Sequence, residues 1–306
     1  MDRREFIKRM IRYGAAGGAL LLTGPGRVFG QPGGGGNYPD LAAVRNGEPG
    51  AMLDRALDAL GGMRRFVKPG QKVAVKPNMS FGVEPERGAS TNPALIKRLI
   101  EHCLDAGASR VYVFDHPLDS WQRAYEANGM TRAVKDGGGT IVPGHTSGYY
   151  HTVSVPGGRV LKETAVHEIL LESDVFINVP ILKHHGSTRI TCALKNLMGV
   201  VYNRGFYHSR GLNQCIADFP LYRKPDLNIV DAYRVLMSGG PRGSSYRAEV
   251  ELRKMLVASP DIVAADTAAV KIWGTEPEKV PYITYAEELG LGTTDLESLR
   301  IERIVI

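Results

Sequence analysis

From residue 41 to residue 305, short Val/Ala-rich runs alternate with segments of helical spacing. The patterning predicts strands over 41–45, 72–76, 110–114, 140–142, 174–179, 227–230, 254–257 and 299–305. It predicts helices over 51–66, 93–106, about 120–128, 166–172, 188–199 and 261–273. Continuous apolar runs closed by Pro77 or Pro180 read as strands buried on both faces. Pro93 behind Thr91 or Asn92 marks a helix start. Pro156-Gly157-Gly158 between 152–155 and 159–162 is a hairpin signal. Strand–helix alternation with one hairpin implies an α/β domain over 38–306: a mainly parallel central sheet, helices on both faces and a small β-hairpin insertion. The loosest stretches are 205–211 and 238–245.

The net charge of +6 is unevenly spread. Residues 1–30 hold six Lys/Arg against two acids, and the remainder holds 32 against 30. A folded domain so balanced lacks the basic footprint of a nucleic-acid binder, so no nucleic-acid partner is expected. No uncharged apolar run reaches the roughly 18–20 residues of a membrane span, so no transmembrane segment is expected in the mature chain. Three cysteines cannot build a disulfide scaffold or a four-cysteine cluster site.

The basic excess sits in a three-part leader. Arg3-Arg4-Glu5-Phe6-Ile7-Lys8 precedes a Gly/Ala-rich apolar segment over 13–22, and Val28-Phe29-Gly30 offers a cleavage site before Gln31. Adjacent arginines followed by an aromatic and a lysine resemble the twin-arginine (Tat) signal, although Asp2 stands where Ser or Thr is usual. Residues 1–30 are read as that signal and 31–37 as a glycine-rich linker. The expected partner is the Tat export machinery, and the expected location is the periplasm or another exported compartment.

In open α/β sheets, ligands bind beyond the carboxyl ends of the strands. The predicted strand ends deliver Lys76-Pro77-Asn78, then Asp115, then Lys183-His184-His185-Gly186 after Pro180, then Asp231. Ser187 or Thr188 would cap the predicted helix over 188–199, and a helix start beside Lys183 and Arg189 would suit a carboxylate or phosphate. His184 and His185 could instead ligate a divalent metal together with Asp231, or transfer protons; a solvated loop is the plain alternative. On a helical wheel, Thr188, Thr191, Cys192, Lys195 and Asn196 share one polar arc. Lys195 could be a cation for substrate, a general base or a Schiff-base lysine if desolvated, or part of an ordinary solvent face. Asp261 reads as a helix cap, and Asp266 needs a partner if buried. No G-x-x-x-x-G-K-[ST], G-x-S-x-G, H-E-x-x-H or C-x-x-C motif occurs.

Several of these residues carry a resemblance. Val75-Lys76-Pro77-Asn78, Asp115, Asn178-Val179-Pro180 through Lys183-His184-His185, Ala193-Leu194-Lys195-Asn196-Leu197-Met198-Gly199, Asp231, and Ser259-Pro260-Asp261 with Asp266 follow one pattern in order. It resembles the domain of unknown function 362 family from about residue 70 to residue 275. Some members carry ferredoxin-like cysteine motifs and hold iron–sulfur clusters. This chain has no such motif, so no iron–sulfur cluster is expected from it.

The resulting expectation is an enzyme on a small anionic substrate, a carboxylate or phosphate. Lys195, His184 and His185 are its catalytic candidates. Lys76, Asn78, Lys183, Ser187, Asn196, Asp115 and Asp231 are its substrate-binding candidates, with a divalent metal on His184, His185 and Asp231 as a second possibility. The alternative is a non-catalytic anion- or metal-binding protein. A buried, perturbed Lys195 favours the enzyme; an open cleft with exposed, unperturbed groups favours the binding protein.

Overall fold

A computed structural model describes residues 38–306; the predicted signal and the linker lie outside the described residues. Strands in chain order are β1 (Leu41–Arg45), β2 (Lys72–Pro77), β3 (Arg110–Val113), β4 (Thr140–Ile141), β5 (Tyr150–Ser154), β6 (Glu163–His167), β7 (Val175–Val179), β8 (Ile181–His185), β9 (Arg189–Thr191), β10 (Leu227–Leu236), β11 (Val250–Ser259) and β12 (Ile301–Val305). Ten of them form one sheet in the order β12-β1-β11-β10-β7-β2-β3-β4, with β8 pairing β10 and β9 pairing β8. β4, β3, β2, β7 and β10 run parallel to one another, and antiparallel pairing enters through β11 and β9. β5 and β6 form a separate antiparallel hairpin. The architecture is an α/β fold with a mixed, mainly parallel central sheet and a small two-stranded sheet, as the strand–helix alternation implied.

Period-two alternation sorts the buried strands between two cores. Val73 and Val75 of β2, with Val175, Ile177 and Val179 of β7, face a core covered by helices Pro49–Ala59 and Pro93–Asp105. Ala74 and Phe176 face the opposite core, covered by helices Leu212–Asp218, Ile262–Trp273 and Pro281–Glu288. Full burial on both sides is why these strands read as unbroken apolar runs.

Three local expectations change. The hairpin strands lie further from the Pro-Gly-Gly turn than predicted, with Ser154 opposite Glu163. The stretch 205–211 is not a loop: helix Arg204–Arg210 runs through it, started by Asn203, whose side chain accepts from Phe206 N. The third change reshapes the site. The predicted helix over 188–199 is instead a hairpin followed by a short helix. Lys183 pairs with Thr191, His184 with Ile190 and His185 with Arg189. Ile190 and Thr191 are β-branched and favour the strand. Helix Ala193–Asn196 begins only where Asp266 accepts from Ala193 N (2.5 Å) and Leu194 N (3.0 Å). It continues as a 3-10 turn over Leu197–Val200.

Candidate functional site

The carboxyl ends of β2 and β3 build the floor of a cleft of about 240 Å³. Lys76 is buried there and reaches Asp115 Oδ1 at 2.9 Å, Asn196 Oδ1 at 3.0 Å and Pro77 O at 2.5 Å. All three ammonium donors are therefore engaged. Asp115 is equally committed: it also accepts from Met79 N, Ser80 Oγ and His116 N, each at 2.9 Å. Burial pushes the Lys76 pKa down, and Asp115 opposes the push. Asn196 ties the floor together, accepting from Asn78 Nδ2 and donating to Lys76 O and Asn178 Oδ1. Gly199 is a requirement of this packing, because a Cβ there would collide with Asp115 Oδ1 and the tip of Lys76.

The walls come from β8, the short helix after β9, and helix Arg204–Arg210. Strand alternation turns Lys183 and His185 inward. Lys183 donates to Asn78 Oδ1 (3.0 Å) and Ala89 O (2.5 Å) and lies 4.8 Å from the Phe81 ring centroid. Burial holds its pKa well below the lysine norm. Lys195 differs. It is 8% exposed, and its ammonium meets the Met198 sulfur at 3.5 Å with no other hydrogen bond among the described residues. Burial first, and Arg204 second, bring its pKa down to about 8. Arg204 donates to Pro117 O at 3.3 Å and faces no carboxylate within ion-pair distance among the described residues. His208 completes this side.

Charge in the cleft is lopsided. Lys76, Lys183, Lys195 and Arg204 line it, against the one lining carboxylate, Asp115, which is already engaged. Three cations are left without an acidic partner among the described residues, the electrostatics of an anion site.

Residues 73–271 match the family described as domain of unknown function (DUF362). The chain belongs to that family. The thylakoid-associated protein sll1697 of Synechocystis sp. is 30% identical over 261 residues, which are 81% of this chain and 77% of that protein. Among solved structures, the lactate racemase apoprotein from Thermoanaerobacterium thermosaccharolyticum has a TM-score of 0.48 and 12% identity, covering 76% of this chain. The chain spans 56% of that racemase's length.

Every residue lining the cleft, from Lys76 to Pro241, falls within the DUF362 match. The segment 193–199 has a physical reading residue by residue. Ala193 and Leu194 offer their N–H groups to Asp266, Lys195 enters the cleft, Asn196 binds the floor, and Gly199 leaves room for the ion pair. Asp266, buried and held near a pKa of about 6 by burial, thereby has the partners its position required.

Of the sequence-derived site residues, the structure gathers Lys76, Asn78, Asp115, Lys183, His185, Lys195 and Asn196. It does not gather His184, Ser187 or Asp231. His184 lies on the opposite face of β8 and accepts from Gly240 N at 3.2 Å. Ser187 sits in the exposed β8–β9 turn, not at a helix start, so the anion site expected at that start does not form. Asp231 accepts from Asn92 N and Tyr233 N, joining β10 to the start of helix Pro93–Asp105. Burial raises its pKa to about 6. The metal set of His184, His185 and Asp231 is therefore not brought together, and no other group of three or more His, Cys, Asp or Glu suited to a metal occurs among the described residues. The sequence reading missed Arg204 and His208. Their signal was the Asn203 cap, masked by glycines at 205 and 211.

Proposed function

We propose that this DUF362 chain is an enzyme acting on a small anionic substrate, a carboxylate or a phosphate, bound in the cleft at the carboxyl edge of the sheet. The observation that carries this is Lys195: buried, brought to a pKa of about 8, and with only the Met198 sulfur on its ammonium, so that donors are left over within the described residues. A lysine so placed is cationic enough at neutral pH to hold an anion and basic enough to exchange a proton. Arg204 and Lys183 add charge on either side, and Asp115 fixes the floor. The perturbed, enclosed lysine supports an enzyme over a passive binding protein.

Calorimetric titration with inorganic phosphate and with acetate tests the anion site. Binding of at least one is expected, with marked weakening in Lys195→Met. Failure of both to bind would remove the proposal's basis. Turnover is tested by screening phosphate esters and hydroxy acids with parent and Lys195→Met. Binding without turnover, together with a Lys195 that titrates at the ordinary lysine value, would make the cleft a binding site rather than an active site.

We further propose that residues 1–30 direct export through the twin-arginine route, on the Arg3-Arg4 leader and the Val28-Phe29-Gly30 segment. Replacing both arginines with lysine should block export of the folded chain. N-terminal sequencing of exported protein that begins at Met1 would overturn the cleavage site.

A further inference from the structure

His185 enters the cleft on the same face of β8 as Lys183, and the hairpin turn grips its ring from behind. The Ser187 backbone N–H donates to His185 Nδ1 at 3.1 Å. A backbone amide nitrogen is a donor only, so Nδ1 must be unprotonated. A neutral imidazole held this way carries its proton on Nε2. Nε2 has no hydrogen-bond partner among the described residues.

The surroundings keep the ring neutral. Burial acts first, and the charged or titratable groups that act on the ring, Lys195, Lys183, His208 and His184, are all cations or bases. They hold its pKa at about 3. To take a further proton the ring would have to accept it at Nδ1, giving up Ser187 and becoming imidazolium among lysines; to offer a lone pair at Nε2 it would have to change tautomer, which also gives up Ser187.

We propose that His185 is the fixed hydrogen-bond donor of the cleft: its Nε2–H meets an oxygen of the bound anion, and proton exchange belongs to Lys195. The ligand half of this inference rests on the anion reading of the cleft; the tautomer does not. A neutral imidazole in this role resembles an oxyanion-hole donor, adding a directed dipole to negative charge on the ligand without itself gaining or losing a proton. His185 then contributes orientation, and the pH response of the site comes from another residue. The role also replaces the earlier expectation that the paired histidines transfer protons or share a metal.

The tautomer is read from a two-bond ¹⁵N–¹H correlation spectrum of histidine-labelled protein, with His185→Gln assigning the signals. The expected result is the Nε2–H pattern, unmoved from about pH 5 to about pH 8. An Nδ1–H pattern, or a titration within that range, overturns the inference. The donor role is read from the binding of inorganic phosphate and of acetate. His185→Gln keeps an amide donor near the Nε2 position and should bind within about threefold of the parent. His185→Phe keeps a ring without a donor and should bind about tenfold more weakly, the scale of one hydrogen bond to a charged group. Equal affinity across the three proteins overturns the donor role. A parent that takes up neither probe overturns the anion reading and the ligand half with it, whereas the spectrum still decides the tautomer.

Discussion

Lys76 and Lys195 are buried lysines in one cleft with opposite surroundings. Lys76 meets a carboxylate, a side-chain amide and a carbonyl, one for each donor. Lys195 meets a thioether. A buried cation whose partners are all supplied by the protein is part of the scaffold, and removing a partner exposes a large desolvation cost. A buried cation with unused donors costs stability in the empty protein and gains from a ligand that brings negative charge. The floor should therefore be read through stability and the wall through binding.

Asp115→Ala breaks the comparison from the floor side, with the largest effect. It leaves the Lys76 ammonium, two backbone N–H groups and the Ser80 hydroxyl without their shared acceptor. Removing one partner of a buried, hydrogen-bonded pair should cost about 3–5 kcal/mol in denaturant unfolding. A loss under about 1 kcal/mol, the range of exposed pairs, would mean that the floor is not a closed network.

Lys195→Met is the matched change on the wall. Methionine keeps a long apolar stem and helix propensity and removes the charge. Affinity for phosphate or acetate should fall by about 1–3 kcal/mol, the scale of a hydrogen bond to a charged group. Stability at neutral pH should hold or rise. The folded-state pKa of about 8 lies below the ordinary value of 10.5, so folding disfavours the cation. That penalty is fully present below about pH 8 and lifts as pH rises toward 10.5. Comparing variant with parent cancels the opposite contribution of Asp231 and Asp266. Their folded pKa values, raised to about 6 from 3.8, make stability fall as pH rises across that interval. A Lys195→Met protein that unfolds as readily as Asp115→Ala would place both lysines in the scaffold.

The same lysine sets a smaller, pH-dependent effect. Sulfate is a suitable probe because its charge does not change near neutrality. With Lys195 titrating at about 8, sulfate affinity should fall about tenfold between about pH 7 and about pH 9. The fall should vanish in Lys195→Met. A profile that survives the substitution would move the titration to Lys183 or to another wall residue.

The floor was more legible in the sequence than the wall, for a physical reason. Pro77 and Pro180 close buried parallel strands, and Asn92 caps its helix by accepting from Ala94 N, so the strand ends and their first polar residues were readable locally. Lys76, Asn78 and Asp115 followed from that. The wall depends on a distant carboxylate. Asp266 sets where the helix after β9 begins, and without it Thr188–Gly199 fits a helical wheel as well as it fits a hairpin. That ambiguity grouped His184 with His185, whereas strand alternation separates them. Lys195 still reached the cleft, on a short helix that starts later than predicted.

Between floor and wall, the mouth is held by one contact that should have the smallest effect of all. Arg242 Nη1 and Nη2 meet Asp119 Oδ2 and Oδ1 at 2.5 and 2.6 Å, and the guanidinium lies 4.8 Å from the Phe81 centroid. Asp119 is steadied by Gly82 N, and Phe81, Leu118 and Pro241 beside the pair line the cleft. The contact thus joins the loop after β10 to the loops after β2 and β3 across the opening. Both partners are partly exposed, at 40% and 27%, so solvent screening limits the pair to about 1 kcal/mol or less. Arg242→Ala should lower stability by no more than that and speed phosphate release about twofold to threefold, because the change acts on the exit rather than on the charges that hold the ligand. The pH profile should be unchanged. Stopped-flow release and equilibrium affinity, measured together, separate the outcomes: faster release with nearly constant affinity fits a mouth contact. A loss of affinity as large as that of Lys195→Met would make Arg242 a fourth ligand-facing cation despite its Asp119 partner, and the division between scaffold and ligand-facing charges would have to be redrawn to include the 238–245 loop.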